Sequence, residues 1–343
     1  MSWSPTVAKV LEDGRLSAIT LGHAAVDDYL RFVEARCRPN TLLATAYDLK
    51  VFFSIVAKDT ADVTTGDVFA FITAQRAPRR GPKVVRLEDG ERGLSARTIK
   101  RRLASTSGLF AYLAARGDAG VQANPVPRSL ATRWSGGGGV RGVPLLRTPR
   151  TLPRVLAPSE VDALAVSLRK HRDRAMVEAM LLAGLRRCEV LGLRLSDLSP
   201  GERRVRVHGK GGHERIVPVS VRFFASVANY LASERPDSGS EALFVVLKGA
   251  RRGEPLSSAG LDQVLSDAVS RAGLRHVTCH QLRHTCLTRL REAGMALEAV
   301  QAQAGHKSID STRVYLHLAN SWLAAEYARA VERIDAEAEE AAK

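Results

Sequence analysis

The sequence predicts a mainly α-helical chain of two domains with a small β-sheet in the second, an α+β arrangement, and three observations carry that expectation. Apolar residues recur at helical spacing through most of the 343 residues. One pair of alternating segments flanks Gly209-Lys210-Gly211-Gly212, the pattern of a β-hairpin. A stretch rich in glycine, proline and arginine, residues 119–154, interrupts the periodicity and reads as a basic linker.

Residues 1–20 carry Pro5, Asp13 and Gly14 with little periodicity, and read as a loosely packed leader. The first domain, residues 21–118, is expected to be helical. Val26, Tyr29, Leu30 and Val33 make one stripe, and Leu42, Ala46, Leu49, Phe52 and Phe53 make a second after Pro39-Asn40. A third helix begins after Thr65 with Val68, Phe69 and Ile72. Residues 77–93 form a basic loop containing Arg79, Arg80 and Lys83. Ser95 then caps a fourth helix, with Leu103, Leu109, Phe110 and Leu113 inside and Arg97, Lys100, Arg101 and Arg102 outside. Those four cations are either a solvated face or a grip on phosphates; the basic loop beside them favours phosphates.

The second domain, residues 155–319, opens at Pro158-Ser159-Glu160 with two helices, the latter running from about Met176 to Leu185. Gly184-Leu185-Arg186-Arg187-Cys188-Glu189 follows directly. Residues 203–208 and 214–219 alternate as strands, with Lys210 at the tip between them, and Leu243–Val246 reads as a third strand. A helix from about Ser258 to Ala272 leads to Thr278-Cys279-His280-Gln281-Leu282-Arg283-His284-Thr285. If residues 280–291 are helical, as Leu282, Cys286, Leu287 and Leu290 suggest, His280 and Arg283 share a face. Gly305-His306 comes next, and Ser308 caps a short helix carrying Tyr315. In the tail, 320–343, Leu323, Tyr327, Val331 and Ile334 trace a helical apolar stripe that must be buried, on its own domain or on a neighbour.

Lys and Arg number 51 against 36 Asp and Glu, a net charge of +15, so the expected partner is a polyanion. No apolar run reaches the 18 residues a membrane helix needs. Four scattered cysteines, Cys37, Cys188, Cys279 and Cys286, read as reduced thiols of a cytoplasmic protein. The offsets of Cys279, His280, His284 and Cys286 scatter them around a helix, so no metal site is expected. Around Lys210 a phosphate-binding GxxxxGK[ST] loop would need glycine at Arg204 and Ser or Thr at Gly211. Neither a metal nor a nucleotide cofactor is therefore expected.

The functional residues point to phosphodiester chemistry. An arginine fork neutralises a phosphate, a histidine moves a proton near neutral pH, and a tyrosine hydroxyl becomes a nucleophile when cations lower its pKa. Each motif alone is ordinary, since HxxR often decorates a helix surface and a lone tyrosine is usually core.

Taken in order, Gly-Leu-Arg186-x-x-Glu189, Gly-Lys210-Gly, His280-x-Leu-Arg283-His284-Thr285, Gly305-His306 and Tyr315 resemble the tyrosine recombinase (phage integrase) family. The resemblance covers most of residues 22–320. It implies a C-shaped DNA clamp: a helical, SAM-like core-binding domain and a catalytic domain closing on double-stranded DNA. It implies Tyr315 as the nucleophile, forming a 3′-phosphotyrosyl link and releasing a 5′-hydroxyl, with Arg186, Arg283 and His306 on the phosphate. Lys210 would be the acid for the leaving oxygen, His280 would assist proton transfer, and Glu189 would orient Arg186. The family further implies a tetramer of paired dimers on two DNA sites, an accessory directionality protein, a nucleoid-associated setting in a bacterium, phage or mobile element, and a C-terminal helix docked in trans. Ala183, Arg187-Cys188 and Ala304 depart from the usual pattern, and Arg187 leaves two adjacent arginines competing for the phosphate. A catalytically silent DNA binder and a type IB topoisomerase remain the alternatives.

Overall fold

A computed structural model of the chain describes residues 3–12, 15–77, 93–117, 120–133, 140–143, 145–146, 154–209 and 214–305. The chain divides into two compact units, residues 1–150 and 151–343. Both are mainly helical with small sheets.

In the first unit β1 (Ala8–Glu12) and β2 (Arg15–Thr20) pair antiparallel and are followed by α1 (Ala24–Arg36), α2 (Pro39–Val56), α3 (Thr65–Arg76) and α4 (Ala96–Arg116). Local chemistry sets the helix starts. Pro39 supplies the φ that a first helical residue needs. Thr64 and Asp67 cap each other reciprocally at α3, and Ser95 accepts from the Thr98 N–H at α4. The predicted stripes of α1, α2 and α4 are buried; on α3 Val68 is buried as expected, but Phe69 is exposed and Phe71 takes the inner place one turn after Val68. Phe52, Phe53, Phe71 and Phe110 form the aromatic centre of the core.

Two stretches of this unit differ from expectation. The described part of residues 1–20 is a hairpin rather than a loose leader, and Trp3 packs against His23 and Phe53 while its Nε1 donates to the Leu21 carbonyl at 3.1 Å. All five β1 side chains are exposed, so the strand has no apolar face to announce it; it is held by pairing with β2 and by Lys9, whose Nζ stands 5.3 Å from the centre of the Tyr47 ring. In the expected linker, β3 (Leu130–Arg133) and β4 (Val140–Val143) pair antiparallel. Val121 and Val126 are buried in the first unit's core, and Asn124 donates to the Ser107 carbonyl at 2.9 Å, so part of this stretch is built into that unit.

The second unit contains α5 (Pro158–Ser167), α6 (His171–Ala183), the one-turn α7 (Arg187–Leu191), β5 (Leu198–Ser199), β6 (Arg204–His208), β7 (Glu214–Pro218), α8 (Val221–Ser233), α9 (Ser258–Arg271), α10 (Cys279–Glu292) and α11 (Leu297–Ala304). The sheet runs β5-β6-β7, with Val205, Val207 and Val217 buried on one face. Leu243–Val246 is not its third strand. Leu243, Phe244 and Val245 are all buried, so the run has no alternation, and only single bridges, Arg194 to Ala242 and Val245 to Pro255, involve this region. Scattered backbone bonds and side chains take the place of a regular ladder: the Leu243 N–H donates to the Leu193 carbonyl and the Val246 N–H to the Glu254 carbonyl, each at 2.8 Å, while Arg172 donates to the Val245 carbonyl at 2.9 Å and the Tyr230 hydroxyl accepts from the Val245 N–H at 3.3 Å.

The α10 helix packs on α6 and starts at Thr278, which caps it reciprocally with Gln281. One turn in, the buried Thr285 hydroxyl donates to the Gln281 carbonyl and accepts from the Leu156 N–H at 3.0 Å, tying the first residues of this unit to α10.

Candidate active site

The α6 helix must end abruptly to present Arg186. Gly184 does this with φ +67°, and a Cβ there would stand 3.0 Å from Leu287, so a side chain would be both strained and crowded. Leu185 drops into the core, leaving Arg186 to precede α7. Glu189, the third residue of α7, then accepts from both the Arg186 backbone N–H and its Nη1, each at 2.8 Å.

That carboxylate is the centre of the cluster. It is almost wholly buried, it receives both terminal nitrogens of Arg215 at 2.9 and 3.0 Å, and it lies 3.9 Å from Arg283 Nη1. Burial alone would push the Glu189 pKa up, but the bonds from Arg215 and Arg186 outweigh it and hold the carboxyl below its ordinary value. Glu189 is therefore ionised and balances part of a dense positive field.

Arg283 enters from α10 as one of the largest fully buried side chains, donating to the carbonyls of Gly184 at 2.5 Å and Ala304 at 2.7 Å. Gln303 donates to the Ala183 and Pro218 carbonyls, so the ends of α6, β7 and α11 meet at one point. Arg186 Nη2 reaches the Gly305 carbonyl at 3.2 Å. One turn from Arg283, His280 Nε2 lies 2.7 Å from His284 Nε2, a contact in which one ring donates and the other accepts. His280 has one edge open to solvent, yet partial burial, then the nearby Arg283 and Arg186 charges, lower its pKa below the usual histidine value.

Arg186, Glu189, His280 and Arg283 thus converge, and Arg186, His280 and Arg283 line an open groove with Cys188, Asp262 and Cys279. The two adjacent arginines take different partners: Arg186 faces Glu189 and Gly305, whereas Arg187 pairs with Asp262. Lys210, His306 and Tyr315 lie outside the described residues, as do Arg79, Arg80, Lys83 and the tail. In the first unit Arg97 and Lys100 are exposed on α4 as expected, and Arg101 is exposed while bonding the buried Asp48 at 2.6 Å. Arg102 turns inward instead, bonding Gln75 beside Asp48, because a buried carboxylate needs a nearby cation. Sequence reasoning missed Arg215. Alternation places it on the face of the buried Val217, opposite Val207, a signal that could have found it, but its partner Glu189 is 26 residues away.

A family model described as "Phage integrase family" matches residues 154–321, and another, "Phage integrase, N-terminal SAM-like domain", matches residues 26–117. The chain is 30% identical to "Tyrosine recombinase XerC" of Roseiflexus castenholzii over 85% of this chain and 88% of that protein. The chain belongs to the phage integrase family of tyrosine recombinases. This recombinase is also 32% identical to "Tyrosine recombinase XerD" of Corynebacterium glutamicum, over 76% of this chain and 80% of that one.

Two solved structures share the recombinase's fold. XerH site-specific recombinase bound to palindromic difH substrate aligns with a TM-score of 0.64 at 21% identity, covering 90% of this chain and 85% of that one. The Tn1549 transposon integrase in complex with transposon right end DNA aligns with a TM-score of 0.66 at 19% identity, covering 90% and 100%. As a family member the recombinase is an enzyme of site-specific DNA recombination.

Proposed function

We propose that this recombinase cleaves and rejoins DNA strands through Tyr315, without metal or ATP. The observation that carries the reading is the convergence of Arg186, His280 and Arg283 on one groove, with Arg186 bonded to the ionised, buried Glu189. Fixed cationic donors of this kind stabilise charge that develops on a phosphate in the transition state. Tyr315 attacks the scissile phosphorus; the 3′-phosphotyrosyl link forms as the bond to the 5′ oxygen breaks, and Lys210 gives that oxygen its proton. Arg186, Arg283 and His306 hold the non-bridging oxygens, while the neutral His280 accepts the tyrosine proton. Because the phosphodiester bond is conserved in the intermediate, a second 5′-hydroxyl reverses the attack with no energy source.

The basic loop at Arg79, Arg80 and Lys83 and the α4 residues Arg97, Lys100 and Arg101 serve as phosphate contacts, which position a protein on DNA without reading sequence. Arg102 was read with them, and its inward bond leaves it the weakest member of the set. The proposal extends to a tetramer of paired dimers on two sites, with residues 320–343 docking on a neighbouring protomer and an accessory protein setting direction.

The test is a nicked suicide substrate, which traps the covalent adduct, incubated with the wild-type and Tyr315→Phe chains in EDTA and resolved on a denaturing gel. The adduct is expected with wild type only. An adduct in the variant would move the nucleophile elsewhere, and loss of the wild-type adduct in EDTA would overturn the metal-free mechanism. A chain ending at Asn320 is expected to bind one site but not pair two; two-site complexes at full yield on native gels would leave the tail no part in assembly.

A further inference from the structure

Arg215 is the second residue of β7, directly after the connection that carries Lys210. Its side chain is 18% exposed, and both its terminal nitrogens bond the two oxygens of Glu189. On its other side it meets Gly305. A Cβ on that glycine would lie 2.9 Å from Arg215 Cζ and 3.0 Å from both Nε and Nη1, so the guanidinium plane lies face-on to the glycine. Gly305 itself has φ +60°, and no L side chain would combine that backbone with this contact. One arginine therefore touches the Arg186-x-x-Glu189 motif and the glycine of Gly305-His306, and sits at the end of the Lys210 connection.

The distribution of donors on Glu189 shows what this does. Oε1 accepts from Arg186 Nη1 and Arg215 Nη1; Oε2 accepts from the Arg186 backbone N–H and Arg215 Nη2. If the Arg186 side chain leaves, each oxygen keeps a bond from Arg215, and Oε2 keeps the backbone bond as well. Without Arg215, withdrawal of Arg186 would strand a buried carboxylate with only the more distant Arg283 charge, and such a loss is strongly unfavourable. The 38% exposed Arg186 side chain is then held on Glu189 and away from any ligand in the groove.

We propose that Arg215 is a positioning residue that keeps Glu189 neutralised so that Arg186 is free to engage the scissile phosphate, while its guanidinium face backs Gly305. The inference rests on the reading that Arg186 binds that phosphate. Lysine cannot replace arginine here, because a single ammonium cannot span both carboxylate oxygens or lie flat on the glycine.

The experiment measures single-turnover cleavage of the suicide substrate at saturating DNA, DNA affinity and thermal unfolding for full-length Arg215→Ala, Arg215→Lys, Glu189→Gln, Arg186→Ala and the Arg215→Ala/Glu189→Gln double variant. Both Arg215 variants are expected to cleave about tenfold or more slowly with affinity within about twofold, the pattern of an interaction realised in the transition state. The double variant is expected to cleave faster than Arg215→Ala, because removing the carboxylate charge releases Arg186, a suppression that a residue acting only on stability does not produce. Wild-type cleavage by Arg215→Lys, or a double variant as slow as the two single losses multiplied, would overturn the role of Arg215. Should Arg215→Ala fail to fold, Arg215→Lys with and without Glu189→Gln gives the same decision. Arg186→Ala separates the two levels: wild-type cleavage there sinks the phosphate-binding reading itself, while a slow Arg186→Ala beside a fast Arg215→Lys sinks only this inference.

Discussion

Arg283 donates to the carbonyl oxygen of Ala304 across 2.7 Å, fastening the helix that carries His280 to the end of the helix that leads into Gly305-His306. A second donation reaches Gly184 from the same guanidinium. Arg283→Ala leaves two carbonyls short of a donor in the interior, and is expected to destabilise the protein by about 3 kcal/mol, within the usual range for buried groups that lose their partner. Arg186→Ala, at a partly exposed side chain, is expected to shift the melting temperature far less. Thermal unfolding of the two variants side by side checks this, and equal melting temperatures would show that Arg283 has no such fastening role.

The neighbouring arginines separate by chemistry. Arg186→Ala is expected to slow cleavage by about a hundredfold or more, the scale seen when a fixed donor to a developing charge is removed. Arg187→Ala, which loses an exposed pair with Asp262, should change it by no more than a few-fold. Single-turnover rates decide, and a larger loss at Arg187 would reverse the assignment.

The histidine pair predicts a pH response. His280 has a folded-state pKa held below its unfolded value of about 6.5. Below that value the unfolded chain takes up the proton more readily than the folded one, so stability is fully present above about pH 6.5 and is lost as pH falls through the depressed folded value. Cleavage should hold its rate at neutral pH and decline on the acid side, since only the neutral imidazole accepts a proton. An NMR titration of His280 checks the premise; a midpoint at or above about 6.5 would refute it.

The cysteines should react in a set order. Burial pushes the Cys279 thiol up to about 11, with Asp262 adding to the effect, and burial pushes Cys286 up to about 12. Cys188 is exposed. In brief iodoacetamide treatment at about pH 8, peptide mass spectrometry should find Cys188 alkylated at least about tenfold faster than Cys279 or Cys286, because the thiolate is the reactive form. Equal labelling of Cys286 would mean that α10 opens readily.

Much of this architecture is legible from local chemistry. Ser95 declares its helix start because a cap is a contact within four residues, and the β6–β7 hairpin declares itself because Val205, Val207 and Val217 alternate toward one core; Thr278 carries the same signal, although the expected helix begins only at residue 280. The convergence of Arg186 and Arg283 was readable through a motif order that no single spacing explains. What stayed hidden depends on distance along the chain. β1 has no buried face, Leu243–Val246 bonds to backbone at Leu193 and Glu254 and to the Arg172 and Tyr230 side chains rather than to the sheet, and Arg102 is drawn inward by Asp48. Arg215 belongs with these: alternation puts it on the face of the buried Val217, yet nothing local names the carboxylate that meets it until Glu189 is brought beside it.

The bond from the Leu156 N–H to the Thr285 hydroxyl has a mechanical corollary. Thr285 stands two residues after Arg283 on the same helix, and its hydroxyl also holds the Gln281 carbonyl. A pull on the polypeptide just ahead of Leu156 is therefore shared between the Arg154–Glu160 pair on α5 and the turn of α10 that aims His280 and Arg283. Thr285→Val would remove that tether while keeping the side chain's shape, leaving only core packing to pass upstream tension to the groove.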